Sequence, residues 1–236
     1  MDVTQLHYKE INEALRQSGE DVTISGCLGQ RFIAAGMSDK RITVHGVPGN
    51  ALGAYLNGAE ITVCGNAQDA VGDTMNEGKI VVHGDIGDAV GYAMRGGSIF
   101  VKGNAGYRAG IHMKEYSGKV PAIVIGGKCG SFLGEYQAGG VIVVLGLGCA
   151  GRIVSNFPCT GMHGGRMFLR SDCAGIAFPP NVKVSRATEA DLSELDAYIT
   201  EYCSLFGADK KAVLDAPFTK IVPDSKNPYK QMYVAN

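Results

Sequence analysis

Short runs of alternating aliphatic and polar residues recur along this chain at intervals of 19 residues. Each run contains an isoleucine and a valine two positions apart. The pairs are Ile42/Val44, Ile61/Val63, Ile80/Val82 and Ile99/Val101. Successive side chains of a β-strand point to opposite faces, so we expect each pair to lie on the buried face of a strand. The pattern predicts a stack of equivalent strands, one per repeat.

A second apolar ladder has the same spacing. It consists of Met37, Leu56, Met75, Met94 and Met113. Nineteen residues are too few for a strand, a crossover helix and a second strand, which need about 30. The pattern therefore predicts a parallel β-helix whose strands stack about 4.8 Å apart, with this ladder in its core. The period does not divide into the six-residue units of a left-handed hexapeptide helix, and it leaves the handedness open.

The repeat extends in both directions, giving eight strands between about residues 22 and 170. Beyond Gly103 the glycine spacing lengthens to 23 at Gly126, because KEYSGKVP is an inserted turn. The two strands that follow are apolar at successive positions, so we expect their outer face to be covered. We assign four outer positions to a partner surface, namely Ile123, Ile125, Val143 and Leu145. The alternative is that the C-terminal helix lies over them.

Glycines mark the corners of the coils. Gly84 and Gly87 follow one strand directly, and Gly91 lies four residues further on. Glycine permits a positive φ, which lets the chain turn sharply. We expect such a φ at Gly84.

Both termini are predicted to carry capping helices, since a solenoid has open ends. Residues 4–17 place Leu6, Ile11, Ala14 and Leu15 on one helical face. Residues 188–206 form the longer helix, with a capping box of Thr188 and Asp191 and a stop at Gly207. Its apolar stripe is Leu192, Leu195, Ile199, Tyr202 and Phe206.

We predict a single domain over residues 1–236. Residues 1–19 are the N-terminal helical cap, residues 20–170 the glycine-rich coils, and residues 171–236 the C-terminal helix and an extended tail. The tail carries Phe218, Tyr229 and Tyr233, and it is expected to pack on its own domain or on a partner.

The composition excludes several classes of protein. With 22 basic and 23 acidic side chains there is no charge excess that favours nucleic acid or an anionic membrane. No apolar stretch reaches the ~18 residues of a membrane span, and the polar start MDVTQLHYKE does not resemble a signal peptide. Seven cysteines without close pairs are typical of reduced thiols. We expect a soluble, cytoplasmic protein.

The segment VIVVLGLGCAG contains the G-x-G-x-x-G outline of a dinucleotide-binding turn. The glycines are Gly146, Gly148 and Gly151, with Asp172 about 20 residues on. The residues that follow contain Pro158 and show no helical stripe, and the strand belongs to the repeat. We therefore interpret these glycines as a corner of the β-helix.

His45, Cys64 and His83 occupy equivalent outward positions on successive coils, with Lys102 next. Neighbours in such a row lie about 5 Å apart, so a Cys/His zinc site is conceivable. However, the two histidines are about 10 Å apart and no fourth ligand is evident. We interpret the row as solvated side chains and leave the role of these three residues open.

The remaining cysteine and histidine residues do not indicate a catalytic or metal-binding site. Cys149, Cys159 and Cys173 are spaced too widely for typical iron–sulfur ligation and are expected to be small buried residues. His112, beside Met113, is assigned a structural role. We predict no catalytic, cofactor-binding or metal-binding residue in this chain.

The segment GYRAGIHMKEYSGKVPAIVIGGKCGSFLGEYQAGGVIVVLG, with GNAQDAVGDTMNEGKIVVHG before it, resembles the C-terminal domain of the glutamate synthase large subunit. That domain is named for its G-x-G-x-G repeats, and the resemblance covers about residues 20–170. It implies a right-handed parallel β-helix without catalytic residues, packed against amidotransferase and flavin-bearing synthase domains. No active-site residue carries over, since Asp2 stands where the amidotransferase has its cysteine nucleophile.

The resemblance implies a stand-alone, non-catalytic subunit of a split glutamate synthase, which converts 2-oxoglutarate to glutamate with ammonia from glutamine. The expected partners are the amidotransferase subunit and a synthase subunit that carries FMN and iron–sulfur clusters, and a homo-oligomer is left open. The same repeat occurs in a non-catalytic β-helical subunit of formylmethanofuran dehydrogenase, another redox assembly, and a scaffold of that type is the alternative. A third hypothesis, an independent enzyme using the GLGCAG turn, predicts nucleotide binding by the isolated chain.

Overall fold

The computed structural model describes residues 1–224. Within them, eight parallel strands stack in sequence order as about seven turns of a β-helix, and two antiparallel strands extend the sheet. The parallel strands are β1 (Asp21–Leu28), β2 (Arg41–Val47), β3 (Asn57–Val63), β4 (Glu77–Val82), β5 (Ser98–Val101), β6 (Ala122–Ile125), β7 (Ala138–Val144) and β8 (Gly164–Leu169). The other elements are α1 (Tyr8–Gln17), β9 (Val182–Arg186), α2 (Glu189–Phe206), α3 (Lys210–Leu214) and β10 (Thr219–Pro223). The predicted parallel β-helix is confirmed.

The inner core is built from the predicted aliphatic pairs. One row runs through Ile42, Ile61, Ile80 and Ile99, each paired with the next by the strand register. The valines two residues on form a parallel row, and the ladder from Met37 to Met113 lies in the same core. Each buried aliphatic side chain contributes about 1.5–3 kcal/mol. The rows therefore stabilise the stack coil by coil.

The inserted turn shifts the register further than the glycine spacing predicts. Ile99 pairs with Ile123, so this repeat is 123 − 99 = 24 residues long rather than 23. Because side chains alternate, a shift of one residue exchanges the two faces of a strand. Ile123 and Ile125 accordingly lie in the inner core, and their assignment to the outer face is wrong.

Val143 and Leu145 do lie on the outer face, but both are completely buried. Helix α2 lies over this part of the sheet. The outer cluster comprises Phe100, Val124, Val143, Leu145 and Phe168 from the strands and Leu195, Ile199 and Tyr202 from α2. All four residues assigned to a partner surface are therefore buried by other parts of the same chain, and none of them is exposed to a partner.

Helix α2 begins and ends as predicted. Thr188 is its N-cap, the capping box with Asp191 is present, and Gly207 ends it in a left-handed conformation with φ 69°. The buried positions of the apolar stripe are Leu195, Ile199 and Tyr202. The capping residues thus fix the position of the helix along the sheet.

The two ends of the stack are covered by different structural elements. At the N-terminal end α1 buries Ile11 and Leu15, and Asn12 bonds the backbone of the first coil at Phe32 and Ala34, both at 2.8 Å. At the other end a segment of partly buried apolar residues, Ile176, Phe178 and Val182, packs against the inner core. Both open ends of the inner core are thus covered.

The residues after α2 are less extended than predicted. They form α3 and then β10, which pairs with β8 and β9 in antiparallel fashion. Phe218 is buried in the outer cluster, so this part of the tail packs on its own chain. Tyr229 and Tyr233 lie outside the described residues.

Gly84 does not have the positive φ expected for it. A Cβ here would overlap Asn66 Oδ1 and would lie 2.8 Å from the carbonyl carbon of Gly65. The glycine is required because the preceding coil approaches closely, not because the backbone is left-handed.

Asp191 connects α2 to β10. Its Oδ1 lies 2.5 Å from Lys220 Nζ, and its Oδ2 accepts hydrogen bonds of 2.8 Å from both the N–H and the hydroxyl of Thr188. Burial acts to raise the pKa of Asp191, but the hydrogen bonds from Lys220 and Thr188 outweigh it and hold the pKa at about 2. The carboxylate therefore stays ionised at the junction of helix and strand.

A carboxylate with a lowered pKa stabilises the folded protein above its unfolded pKa, and this contribution is lost as the pH falls through the folded value. We expect Asp191→Asn to reduce the free energy of unfolding by about 2 kcal/mol at neutral pH. The difference from the wild-type protein should shrink between pH 4 and pH 2, as measured by urea unfolding at a series of pH values. Asp196→Asn, at a surface ion pair with Lys210, is the control and should change much less. A difference independent of pH would contradict this role.

Candidate interaction surface

Each coil contains a tight bend with three left-handed residues at alternate positions. After β5 these are Arg108, Gly110 and His112, with φ of 56°, 69° and 54°. The same three positions recur in every coil from 32, 34 and 36 to 157, 159 and 161. The middle residue is buried, whereas the first and third of the bend after β5 are exposed. The bends therefore display a column of outward side chains along the stack.

Hydrogen bonds between coils hold these bends at the coil spacing. Arg108 N–H donates to the carbonyl of Ser131 (2.9 Å), and His112 N–H donates to the carbonyl of Glu135 (3.0 Å). Tyr136 N–H donates in the same way to Thr160 (2.8 Å). The backbone that carries the outward side chains is thus fixed by hydrogen bonds between coils.

Rings gather on the later bends, and we call this set the aromatic stripe. It consists of Tyr92, Arg108, His112, Phe132, Tyr136 and Phe157. The imidazole of His112 stacks on Tyr136 with ring centroids 5.1 Å apart and an interplanar angle of 10°, and Tyr92 meets it edge-on at 6.0 Å. Phe132 stacks on Phe157 at 5.3 Å. The rings form two stacks, one of Tyr92, His112 and Tyr136 and one of Phe132 and Phe157.

The charged members of this region neutralise each other. Arg108 Cζ lies 5.1 Å from the centroid of Phe132, and Arg108 Nε lies 2.9 Å from a carboxylate oxygen of Glu135. Gly161 leaves room for the Tyr136 ring, since any Cβ there would overlap it. The stripe is therefore largely apolar.

Its rings are accessible to solvent. Phe157 is 62% exposed and Tyr92 40% exposed. Tyrosine, phenylalanine and arginine are enriched in protein interfaces, where rings already held in place lose little entropy on binding. The arrangement is suited to binding an apolar or aromatic surface of another molecule.

Comparison with known proteins places this fold in a family. The family model of the GXGXG motif matches residues 5–225. The chain belongs to the GXGXG motif family. Its predicted relation to domains with G-x-G-x-G repeats is thereby confirmed.

The GXGXG protein also has relatives in sequence and in structure. An uncharacterized protein of Methanocaldococcus jannaschii, MJ1350, is 40% identical over 248 residues, covering 99% of this chain and 95% of the relative. A chain of the formyltransferase/hydrolase complex FhcABCD from Methylorubrum extorquens, crystallised with methylofuran, matches with a TM-score of 0.63 at 20% identity. That match covers 92% of this chain and 84% of the other. The second likeness is one of fold.

The row of His45, Cys64 and His83 is exposed in the GXGXG protein. His83 meets the ring of Phe206 edge-on at 5.2 Å. Among residues 1–224 no group of three or more His, Cys, Asp or Glu side chains is arranged to hold a metal ion. Within that range, no helix is long and apolar enough to cross a membrane.

The GLGCAG turn lies at a coil corner, as interpreted. Gly146, Gly148 and Gly151 all have positive φ, and the space at Gly146 is filled by Ile153. The next element is β8 rather than a helix. The helix N-terminus that holds a pyrophosphate in a dinucleotide site does not follow this strand.

The cysteines of the irregular segment are largely enclosed. Cys159 and Cys173 are buried and Cys149 is half-buried, so the predicted burial holds for the first two. Burial, with a smaller contribution from the neighbouring Cys173, raises the pKa of the Cys159 thiol to about 12. A thiol with such a pKa is protonated at neutral pH and is a poor nucleophile or ligand.

The aromatic stripe was not identified from the sequence, where His112 received only a structural role. A signal exists in the spacing. The first left-handed positions Arg108, Phe132 and Phe157 are separated by 24 and 25 residues, because turns are inserted between them. A search at the fixed 19-residue period does not align these residues.

Proposed function

We propose that this GXGXG protein is a non-catalytic structural and assembly subunit of a split glutamate synthase. Its partners are an amidotransferase subunit and a synthase subunit that carries FMN and iron–sulfur clusters, while this chain carries no cofactor. The complex produces glutamate from glutamine and 2-oxoglutarate. Family membership over residues 5–225 supports this proposal, together with the resemblance to the glutamate synthase domain.

The aromatic stripe is the observation that carries the assembly role. Its rings are exposed, yet the backbone beneath them is fixed by hydrogen bonds between coils. Ordered rings of this kind are typical of the residues that dominate binding energy in interfaces. A partner that covers the stripe gains apolar burial without ordering a flexible loop.

A second candidate is a β-helix subunit of a formyltransferase/hydrolase or formylmethanofuran dehydrogenase type of complex. The fold match to the FhcABCD complex, with a TM-score of 0.63, favours it. Both candidates make the chain a subunit held by larger partners, and they differ in which partners these are.

Purification of the tagged full chain from its native host, followed by mass spectrometry, separates the candidates. Amidotransferase and flavin synthase chains in stoichiometric amounts are expected for the glutamate synthase. Formyltransferase/hydrolase subunits, or molybdenum or tungsten enzyme subunits, would replace that proposal by the second candidate. Recovery of the chain alone would contradict both, and nucleotide binding by the isolated chain would then be measured.

The same purification tests the stripe. We expect Phe157→Glu to weaken binding of the co-purifying partner by at least about tenfold, since interface hot spots contribute about 2 kcal/mol or more. Tyr55→Glu is the matched control, because Tyr55 is also exposed and left-handed, with φ 57° against 58° for Phe157. Equal binding by the two variants would exclude the stripe as the contact surface.

A further inference from the structure

Two rows of Asn and Asp side chains line one corner of the coils, beside the short bridges that join Ala67, Ile86 and Ala105. The first row is Asn66, Asp85 and Asn104, and the second is Asn50, Asp69 and Asp88. Each Oδ1 accepts a hydrogen bond from the backbone N–H of the equivalent residue in the next coil. The Asp85 N–H donates to Asn66 at 2.9 Å, and the Tyr107 N–H donates to Asp88 at 2.8 Å.

Asparagine and aspartate make the same contact in these rows. Asn104 accepts the N–H of Lys128 at 3.0 Å, and Asp85 accepts the N–H of Asn104 at 2.7 Å. The hydrogen bond needs only an oxygen, so the fold does not require the negative charge of Asp69, Asp85 or Asp88. Within residues 1–224 these three carboxylates form no ion pair.

The charge changes sign further along the same corner. Lys128 continues the first row one coil beyond Asn104, and Arg152 follows in the next coil. Both are exposed, and neither has an ion-pair partner in the described part of the chain. They line a concavity of about 520 Å³ together with Tyr107. Tyr107, which is 54% exposed, lies between the acidic and the basic coils.

The charges therefore have opposite signs on the two sides of Tyr107, and Asp85 and Lys128 lie in the same row. Asp88 shares a coil with Asp85 but lies in the second row, which continues through Tyr107 to Ser131. Asp85 and Lys128 each lie one coil from Tyr107, and Asp69 and Arg152 each lie two coils from it. A two-fold axis brings a surface against the same surface of a second copy in reversed direction. Such an arrangement places each acidic coil opposite a basic one.

We propose that two copies of this chain associate through this corner, with Tyr107 at the two-fold axis. Asp85 of each copy faces Lys128 of the other, and on the outer coils Asp69 and Arg152 extend the same opposition of charge. The matched surface spans five coils, about 24 Å at the strand spacing of a sheet. An interface of this size is smaller than that of a permanent dimer, so the association is concentration-dependent and weakened by salt. The aromatic stripe takes no part in it.

Sedimentation velocity of the full chain at several protein and salt concentrations tests the proposal. We expect a dimer at high protein and low salt that dissociates as salt is added. Lys128→Glu should raise the dissociation constant by at least about tenfold, because the two-fold axis repeats the lost pair. Asp85→Asn keeps the hydrogen bond of the row and should also weaken the dimer. Lys9→Glu makes the same charge change on α1 and should leave the dimer intact, as should Phe157→Glu.

A crosslink locates the axis. A residue at a two-fold axis lies next to its own copy, so Tyr107→Cys in a Cys64→Ser background should form a disulfide-linked dimer on mild oxidation at low salt. Cys64 is removed because it is the exposed native thiol of the described chain. The crosslink should be lost when Lys128→Glu is added. A monomer at every concentration, or a dimer indifferent to Lys128→Glu and without the crosslink, would overturn the proposal.

Discussion

Leu145→Asp is expected to unfold the C-terminal half of the protein. Leu145 is 0% exposed and lies in the outer cluster beneath α2. The variant loses about 1.5–3 kcal/mol of apolar burial and places a carboxylate where solvent is excluded, so the total loss should exceed about 4 kcal/mol. Circular dichroism and calorimetry should show a large fall in Tm or no cooperative transition.

The chain offers a matched control for this substitution. Leu28, on β1, is 82% exposed, and Leu28→Asp should keep Tm within about 2 °C of the wild-type value. The two variants carry the same change in charge and volume. A native Tm for Leu145→Asp would show that α2 does not lie on this face of the sheet.

Gly91→Ala should have the next largest effect. Gly91 has φ 66°, and a Cβ there would overlap Cδ1 of Ile123 and lie 3.3 Å from its Cγ1. The substitution combines about 1 kcal/mol of left-handed strain with about 1–3 kcal/mol of overpacking in the core. We expect urea unfolding to show a loss of about 2–4 kcal/mol.

Gly36→Ala separates these two contributions. Gly36 has φ 67°, but a Cβ there would have no atom within 4 Å. Only the backbone strain, about 1 kcal/mol, should therefore be lost. If the two variants lost the same stability, contact with Ile123 would not be the reason for the glycine at position 91.

The inner rows could be predicted because the period of the sequence is also the register of the sheet. Ile61 and Ile80 are 19 residues apart and lie side by side, so spacing alone identifies neighbours. The same argument failed at Ile123, where one extra residue in the inserted turn exchanged the faces. The period of the sequence predicts which face of a strand a residue occupies only when the length of every turn is known.

Gln137 shows a second limit of the pattern. Its segment aligns with that of Met94, and its side chain occupies the methionine ladder with 0% exposure. Its amide nitrogen donates to the carbonyls of Gly139 (3.1 Å) and Gly140 (3.2 Å), while its Oε1 has no hydrogen-bond partner in the described residues. The alignment with Met94 predicts that Gln137 lies in the ladder. It does not predict which hydrogen bonds the amide group forms, because these depend on the local backbone geometry.

The antiparallel pair at the C-terminal end lies outside the repeat. Thr219 pairs with both Leu169 and Arg186, which are distant in sequence and are not related to it by the repeat. The chain reaches β10 only after α2 and α3, and the contact of Asp191 with Lys220 joins this strand to α2. Phe132, Tyr136 and Phe157 of the aromatic stripe likewise lie on bends after inserted turns, whose lengths differ from the common period.

Because of the position of α2, the two halves of the protein are expected to differ in their resistance to local unfolding. In a stack, each coil is stabilised by its neighbours, and an element that crosses several coils makes them open as one unit. Helix α2 crosses the coils from Phe100 to Phe168. Among residues 1–224, the coils before β4 are held instead by each other, by α1 and by the first residues of the chain. Amide protection should therefore be highest in the later half and decline toward β1. Most of the aromatic stripe lies on that protected half, so a partner meets a surface that does not unfold between encounters.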